Sequence, residues 1–402
     1  MLKILTLSSL YPNSVQPEHG VFVEQRLRHL LATGEVVAQV IAPVPWFPLA
    51  SPRFGQYGAF ARVPAEEIRY GVRVSHPRVP VIPKVGMTLS PYLFAAALRG
   101  EMRRTLERAP FDAIDAHYLY PDGVATAMLA KRFRKPFVLT ARGSDVNVIA
   151  RYAAPRRMIN WAIRQADRVI TVSHALRAEL VRLGAEESRI EVLPNGVDLT
   201  QFTSGGRPAP GSSSAGRLLV VGHLKPGKGH GAVLEALAAL PHCTLQIAGD
   251  GPLRSALEEQ VRQLGIGSRV RFLGSVRHAD LAAHYRLADA LILASEREGM
   301  PNVILESLAC GTPVVATRVG GVAEAVTDPV AGVLLESGSA QSVVAGVRQL
   351  LARPPDPERV REFALRFGWG PTTQGQLAIF RRIAARWSAD DGAEAPRVTG
   401  RG

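Results

Sequence analysis

Apolar residues come in two kinds of run along the first 200 positions. Short stretches such as "KILTLSS", "VVAQVIAPV", "FDAIDAH", "PFVLTAR" and "DRVITVS" predict strands. Between them the apolar residues recur at helical spacing. In "VEQRLRHLLA", Val23, Leu27, Leu30 and Leu31 fall on one face. "SPYLFAAALRGEMRRTLER", "GVATAMLAKRF" and "HALRAELVRLG" predict further helices. The alternation stops at "TSGGRPAPGSSSAG", residues 203–216, which is rich in Gly, Ser and Pro without period and reads as a linker. It then restarts with "RLLVVGH", "CTLQIAG", "RVRFLG", "DALILAS" and "TPVVATR". A last amphipathic run, "TQGQLAIFRRIAARW", precedes a polar tail from Ser388 that is expected to fray.

Strands alternating with helices of this length predict parallel sheets covered on both faces. The expected class is α/β with two Rossmann-like, doubly wound parallel-sheet domains, 1–200 and 201–370, facing each other across a cleft. A helix at 371–388 is expected to pack back on the first domain. Ligands of such sheets bind beyond the carboxyl ends of the strands, so the loops that follow strands are where the chemistry is sought.

Composition narrows the class. Of 402 residues 47% are hydrophobic and 21% charged, an ordinary balance for a folded, water-facing protein. The two cysteines, Cys243 and Cys310, sit in apolar runs and supply neither a disulfide framework nor metal-ligand spacing. The apolar start of "MLKILTLSSLYPN" is too short for a signal peptide and reads as a first strand. No run approaches the ~20 apolar residues of a membrane span. The expected location is cytoplasmic, or peripheral on the inner face of a membrane. The net charge of +13 is uneven: basic residues outnumber acidic ones by nine in positions 1–200 and by four in the rest. That favours an anionic partner for the first half. "RGEMRRTLER" and "RYAAPRRMINWAIRQADR" are cationic and partly amphipathic, and are read either as a solvated basic face or as a surface for anionic lipid. No nucleic-acid motif or interleaved aromatic residues accompany the charge, so nucleic acid is not an expected partner.

The stretch "VVGHLKPGKGH", residues 220–230, nearly completes a P-loop, since Gly222, Gly227 and Lys228 satisfy G-x-x-x-x-G-K. Gly229 stands where the Mg²⁺-binding Ser or Thr would be. That argues against an ATPase and for Lys228 as a metal-free counter-charge to phosphate. In "SEREGMPNVILESLACGTPVVAT" a strand ends at Ser295, and a helix is expected from about Pro301. The free amides near Asn302 and Val303 then make an anion site, which Gly299 lets a ligand approach. Glu298 lies before this helix and Glu306 one turn beyond Asn302. The two suit sugar and ribose hydroxyls, or are surface acids at a positive helix end. "IAGDGP", with Asp250 and Gly251, and "RFLG", with Phe272 and Leu273, end two more strands. They either shape a base pocket or are ordinary turns. In the first half, Gly20 opens the first helix, His117 ends "DAIDAH", and Arg142, Ser144 and Asp145 follow the next strand.

Taken together these residues resemble the retaining glycosyltransferases of family 4, which have the GT-B fold. The motif that carries the resemblance is E-x7-E, Glu298 to Glu306, supported in order by "VLPNGVDLTQF", Lys228-Gly229, "AGDGP" and "GGVAE". "YPN" and "GVFVEQR" near the start look like members that build extracellular or capsular polysaccharide. The resemblance implies a nucleotide diphosphate sugar as donor substrate, no cofactor or metal, and a saccharide or lipid-linked acceptor. It implies Glu298 and His117 as catalytic residues at the transferred sugar and Glu306 on the ribose. Lys228 and the amides from Met300 to Val303 would hold the pyrophosphate, with Gly20 beside it, while Phe272 and Leu273 line the base. Two departures stand out: His223 where many members have Arg, and Arg142 where many have His. With Asp145 these are candidates for phosphate or acceptor contacts. Rival readings are a nucleotide-sugar epimerase of the same fold and a nucleic-acid-binding protein.

Overall fold

The computed structural model describes residues 1–51, 53, 55–81, 87–205 and 216–393, so most of the expected linker lies outside the described residues. The chain forms two compact units. One comprises Met1–Val172, Leu176–Leu193 and Pro371–Gly402, and the other Ser173–Ala175 and Pro194–Gly370.

Among the described residues the first unit has ten strands: Leu2–Leu7 (β1), Val36–Ile41 (β2), Val44–Pro45 (β3), Glu66–Arg69 (β4), Val72–Ser75 (β5), Arg78–Val79 (β6), Ala113–His117 (β7), Phe137–Ala141 (β8), Arg168–Thr171 (β9) and Ile190–Val192 (β10). Eight of them form one sheet in the order β10-β9-β8-β7-β1-β2-β5-β4, and β3 pairs with β6 in a small second sheet. All neighbours are parallel except β4 and β5. That hairpin turns on Tyr70 and Gly71, both at positive φ. β4 is the edge strand and largely charged (Glu66, Glu67, Arg69), while β5 inside it buries Val72 and Val74, and the search for apolar runs passes this short hairpin over.

The strand order reverses between β1 and β7, so the loops following these two strands diverge from a topological switch point. The two loops are joined where Ser9 Oγ donates to Asp122 Oδ2 at 2.9 Å.

The last helix, Trp369–Ala393, starts earlier than its sequence pattern suggests and stays helical past Ser388. From Pro371 onward it belongs to the first unit. Leu377, Phe380 and Ile383 pack with Ile4, Val36, Val138 and Ile170 of the sheet. Beside them Gln376 is buried. Its Nε2 donates to Asp115 Oδ2 at 2.7 Å, and its Oε1 accepts from Arg26 Nε at 2.9 Å. Arg26 is 1% exposed and also donates to the Leu193 carbonyl at 3.3 Å. A buried guanidinium is tolerable only with such partners.

Among the described residues the second unit has six strands: Arg217–Val221 (β11), Thr244–Ala248 (β12), Val270–Gly274 (β13), Ala290–Leu293 (β14), Val314–Thr317 (β15) and Gly332–Leu335 (β16). They are all parallel, in the order β13-β12-β11-β14-β15-β16. Leu218, Val220, Leu245, Ile247 and Ile292 pack under Val233 and Leu237 of the helix His230–Ala238 and Val343 and Val347 of the helix Ala340–Ala352. Here the order reverses between β11 and β14. The loops after these strands, 222–229 and 294–301, therefore flank the unit's switch point.

Gln376→Ala removes a partner from both Arg26 and Asp115 at once. Urea unfolding should show a loss of about 2–4 kcal/mol, well beyond an ordinary surface Gln→Ala.

Candidate functional site

In the second unit the near-P-loop is shaped by backbone packing. Gly229 caps the helix His230–Ala238 at φ +72, and a Cβ there would lie 2.1 Å from the Ala294 carbonyl oxygen. The Glu296 N–H donates to the Gly227 carbonyl at 2.9 Å. The loop after β11 is thus laid directly on the end of β14. No side chain fits where a P-loop needs its hydroxyl, which is the physical reason for glycine. Lys228, held between these glycines, reaches across to Glu298, with Nζ 2.7 Å from Oε1, both largely buried.

The turn that carries Glu298 is supported from below. Gly320 runs so close that a Cβ would meet the Glu298 carbonyl at 2.0 Å, and the Gly321 N–H donates to the Gly299 carbonyl at 2.8 Å. This gives "GGVAE" its function in the fold. Met300 is buried in the turn. Pro301 is the N-cap, one place earlier than a first-turn proline, and the helix runs Asn302–Ala309. The N–H groups of Asn302 and Val303 precede any intrahelical acceptor and lie at the positive end of the helix dipole. Asn195 Nδ2 donates to Asn302 Oδ1 at 2.9 Å and fixes the first turn. One turn on, Glu306 is 5% exposed, and it accepts from His278 Nε2 on Oε1 and from the Tyr285 hydroxyl on Oε2, each at 2.8 Å.

The neighbouring strand ends buttress this centre. A Cβ on Gly251 would lie 2.5 Å from the Leu224 carbonyl, and the Leu224 N–H donates to the Asp250 carbonyl at 2.9 Å. "AGDGP" therefore braces the 222–224 loop. On β13, Phe272 and Leu273 are half-buried, and the Arg254 guanidinium sits 4.5 Å from the Phe272 ring centroid. The His223 side chain is exposed, while its carbonyl accepts from His230 Nε2 at 3.2 Å.

In the first unit, strand alternation puts Asp115 and His117 on the same face of β7. Arg142 Nη2 lies 2.7 Å from His117 Nδ1, and His117 Nε2 lies 3.2 Å from Asp115 Oδ2. A guanidinium only donates, so Nδ1 accepts and Nε2–H points to Asp115. The ring is neutral. Burial, partly offset by Asp115, pushes its pKa down to about 4. His117 is 1% exposed with both nitrogens engaged. Its imidazole is packed between Arg142 and Asp115. Arg142 lies over the Phe22 ring at 5.0 Å. Asp145 turns inward as well and accepts from the backbone N–H groups of Leu119, Arg142, Gly143 and Val146. It is fully buried and holds the loop together. Gly20 stands at φ +73 with a would-be Cβ 2.3 Å from the Leu10 carbonyl carbon, so the chain's own backbone requires glycine there.

Sequence reasoning missed Arg26, Asp115, Asn195, His278, Tyr285 and Gln376. Asp115 carried a signal, two places before His117 in a buried strand. Gln376 carried none. Among the described residues no group of three or more His, Cys, Asp or Glu is placed to hold a metal ion, and no helix is long and apolar enough to cross a membrane.

Comparison with known proteins falls on the same elements. Residues 28–201 match the family described as Glycosyltransferase Family 4, and residues 212–367 match Glycosyl transferases group 1. The putative teichuronic acid biosynthesis glycosyltransferase TuaC of Bacillus subtilis (strain 168) is 30% identical, over 98% of this chain and 97% of its own. Sucrose-phosphate synthase from Thermosynechococcus elongatus superposes with a TM-score of 0.79 at 20% identity, over 96% of this chain and 100% of that one. Anabaena HepE in complex with UDP and glucose superposes at 0.69 with 21% identity, over 96% and 100%.

Two measurements probe these geometries. Gly229→Ser restores the P-loop residue but forces a side chain into the Ala294 carbonyl, so the melting temperature should fall by several degrees, on the order of 1–3 kcal/mol, with no Mg²⁺-dependent ATP hydrolysis gained. His117 takes up its proton at about 4 in the fold against 6.5 otherwise. The unfolded chain then binds more protons between those values, and stability from this group falls as pH drops through that window, by at most about 3 kcal/mol. Asp122, pushed up to about 7 by burial, acts with opposite sign from 3.8 upward. His117→Asn isolates the histidine: its urea stability profile should lose less on acidification than wild type. Parallel profiles would rule out a neutral buried imidazole.

Proposed function

The chain belongs to the family-4 and group-1 glycosyltransferases built on the GT-B fold, and from that premise we propose that it is a retaining hexosyltransferase using a nucleotide diphosphate sugar. The acceptor is a saccharide or lipid-linked saccharide of a cell-surface polysaccharide, in line with the teichuronic acid assignment of TuaC. HepE, bound to UDP and glucose, supports the donor class.

The observation that carries the reading is the grouping of Lys228, Glu298 and the amides that open the helix Asn302–Ala309, with Glu306 one turn along. Transfer breaks the bond from the anomeric carbon to the diphosphate oxygen and joins that carbon to an acceptor hydroxyl oxygen, whose proton leaves with the diphosphate. Charge builds on the departing diphosphate. An ammonium and a helix N-terminus fixed in advance stabilise it, and this is the role proposed for a divalent-free site. Lys228 carries three donors, so it holds Glu298 and a phosphate oxygen together. Glu298 is thereby oriented to accept from hydroxyls of the donor sugar. Phe272, Leu273 and Asp250, at adjacent strand ends, border the base. The basic, exposed Arg99, Arg151, Arg157 and Arg164 with Tyr152 support a peripheral encounter with anionic membrane, where a lipid-linked acceptor resides.

The test is a thermal-shift panel of UDP-, GDP- and ADP-sugars, since binding to the folded state raises its stability by mass action. One donor class should raise the melting temperature, and Lys228→Ala and Glu306→Ala should each abolish the shift. Full responses in both variants would remove the assignment of the site. Transfer should persist in excess EDTA, and its loss would hand the diphosphate charge to a metal ion.

A further inference from the structure

Glu298 and Glu306 lie near each other in sequence but have different kinds of partner. Glu298 is matched by a cation. Glu306 is held by two groups whose charge can be read from their geometry. His278 Nδ1 lies 3.2 Å from Gln201 Nε2, an amide nitrogen that only donates. Nδ1 is therefore an acceptor, and the ring proton sits on Nε2, where it is donated to Glu306 Oε1. Gln201 Nε2 also donates to the His278 carbonyl at 3.1 Å. Tyr285 is fully buried, and burial together with the neighbouring Glu306 pushes its phenol well above the ordinary value, so its O–H stays a donor to Oε2. Both donors are neutral.

A carboxylate offers about four acceptor positions. Among the described residues one side-chain donor reaches each oxygen of Glu306, which leaves a second acceptor position on each. Two remaining acceptors on one carboxylate, which among the described residues has no Lys or Arg paired with it, suit two adjacent O–H groups. The donors are themselves fixed. Phe202 packs edge-on to His278 at 5.1 Å and to Tyr285 at 6.0 Å, and Arg361 binds the carbonyls of Phe202, Ala309 and Leu199.

We infer that His278 and Tyr285 are positioning residues that set Glu306 to discriminate an intact ribose diol from a deoxyribose in the donor nucleotide. This rests on the reading that Glu306 faces the ribose, and neither residue touches the sugar itself.

The experiment compares UDP, GDP and ADP, each beside its 2′-deoxy analogue, by titration calorimetry on the full chain. Wild type should bind the ribonucleotide of its preferred base about tenfold or more tightly than the deoxy form. Tyr285→Phe and His278→Phe keep the ring packing and delete one donor each. Each should reduce that preference to under about threefold by weakening the ribonucleotide alone, with deoxy affinity unchanged. A preference that survives in both variants overturns the inference, as does an equal weakening of both ligands, which is the mark of a merely structural role. Glu306→Gln separates the two levels. If it keeps the full preference, or if wild type has none, the ribose reading itself fails. If only Glu306→Gln loses the preference, the ribose reading stands and the positioning roles fall. Should either ring variant not fold, Gln201→Leu, which frees His278 to take the other tautomer, reads the same ratio.

Discussion

The second unit depends on one close approach, the backbone of Gly229 against the carbonyl of Ala294. Two loops that leave neighbouring strands at a switch point ordinarily diverge and leave a crevice. Here they touch, and the touch fixes where Lys228 and Glu298 can be. With any side chain at 229 the loop would lift and the 2.7 Å pair would open. Gly320 and Gly321 do the corresponding work beneath the Glu298 turn. The glycines of this centre answer to the protein's own backbone first, and only then to anything that binds.

The two carboxylates of the E-x7-E pair illustrate how one helix start supports two electrostatic environments. Glu298 sits before the helix, in contact with an ammonium that lowers the cost of its charge. Glu306 sits inside, among an imidazole and a phenol that hydrogen-bond without cancelling its charge. Environments that separate like groups in this way divide labour between them. The first is suited to a place where charge moves, the second to recognition of fixed hydroxyl groups.

How much was legible follows from what sequence patterns encode. The alternation of apolar runs revealed two parallel α/β units, because buried strands and amphipathic helices leave different periods. The hairpin 66–75 was invisible because its strands are only four residues long and the outer one is largely charged. The centre built from Lys228, Glu298, Asn302 and Glu306 was legible because all four sit in loops and helix starts that follow predicted strands. His117 was found, but its surroundings were not. Strand position indicates which residues reach a sheet edge, not whether Arg142 and Asp115 will close around the ring. The inward turn of Asp145 was hidden for the same reason, since a short acidic side chain in a turn readily serves backbone amides. Gln201, His278 and Gln376 act through tertiary partners far away in the chain, and no local pattern marks such residues.

The helix that ends the described chain supplies Leu377, Phe380 and Gln376 to the interior of the unit that begins it. A growing polypeptide emerging from the ribosome must therefore complete both sheets before Arg26 and Asp115 meet their shared amide. Until then the earliest-made strands carry an unfinished, partly charged interior. Vectorial synthesis and native topology run in opposite order here, and a nascent chain stalled before residue 371 would be a natural client for chaperones.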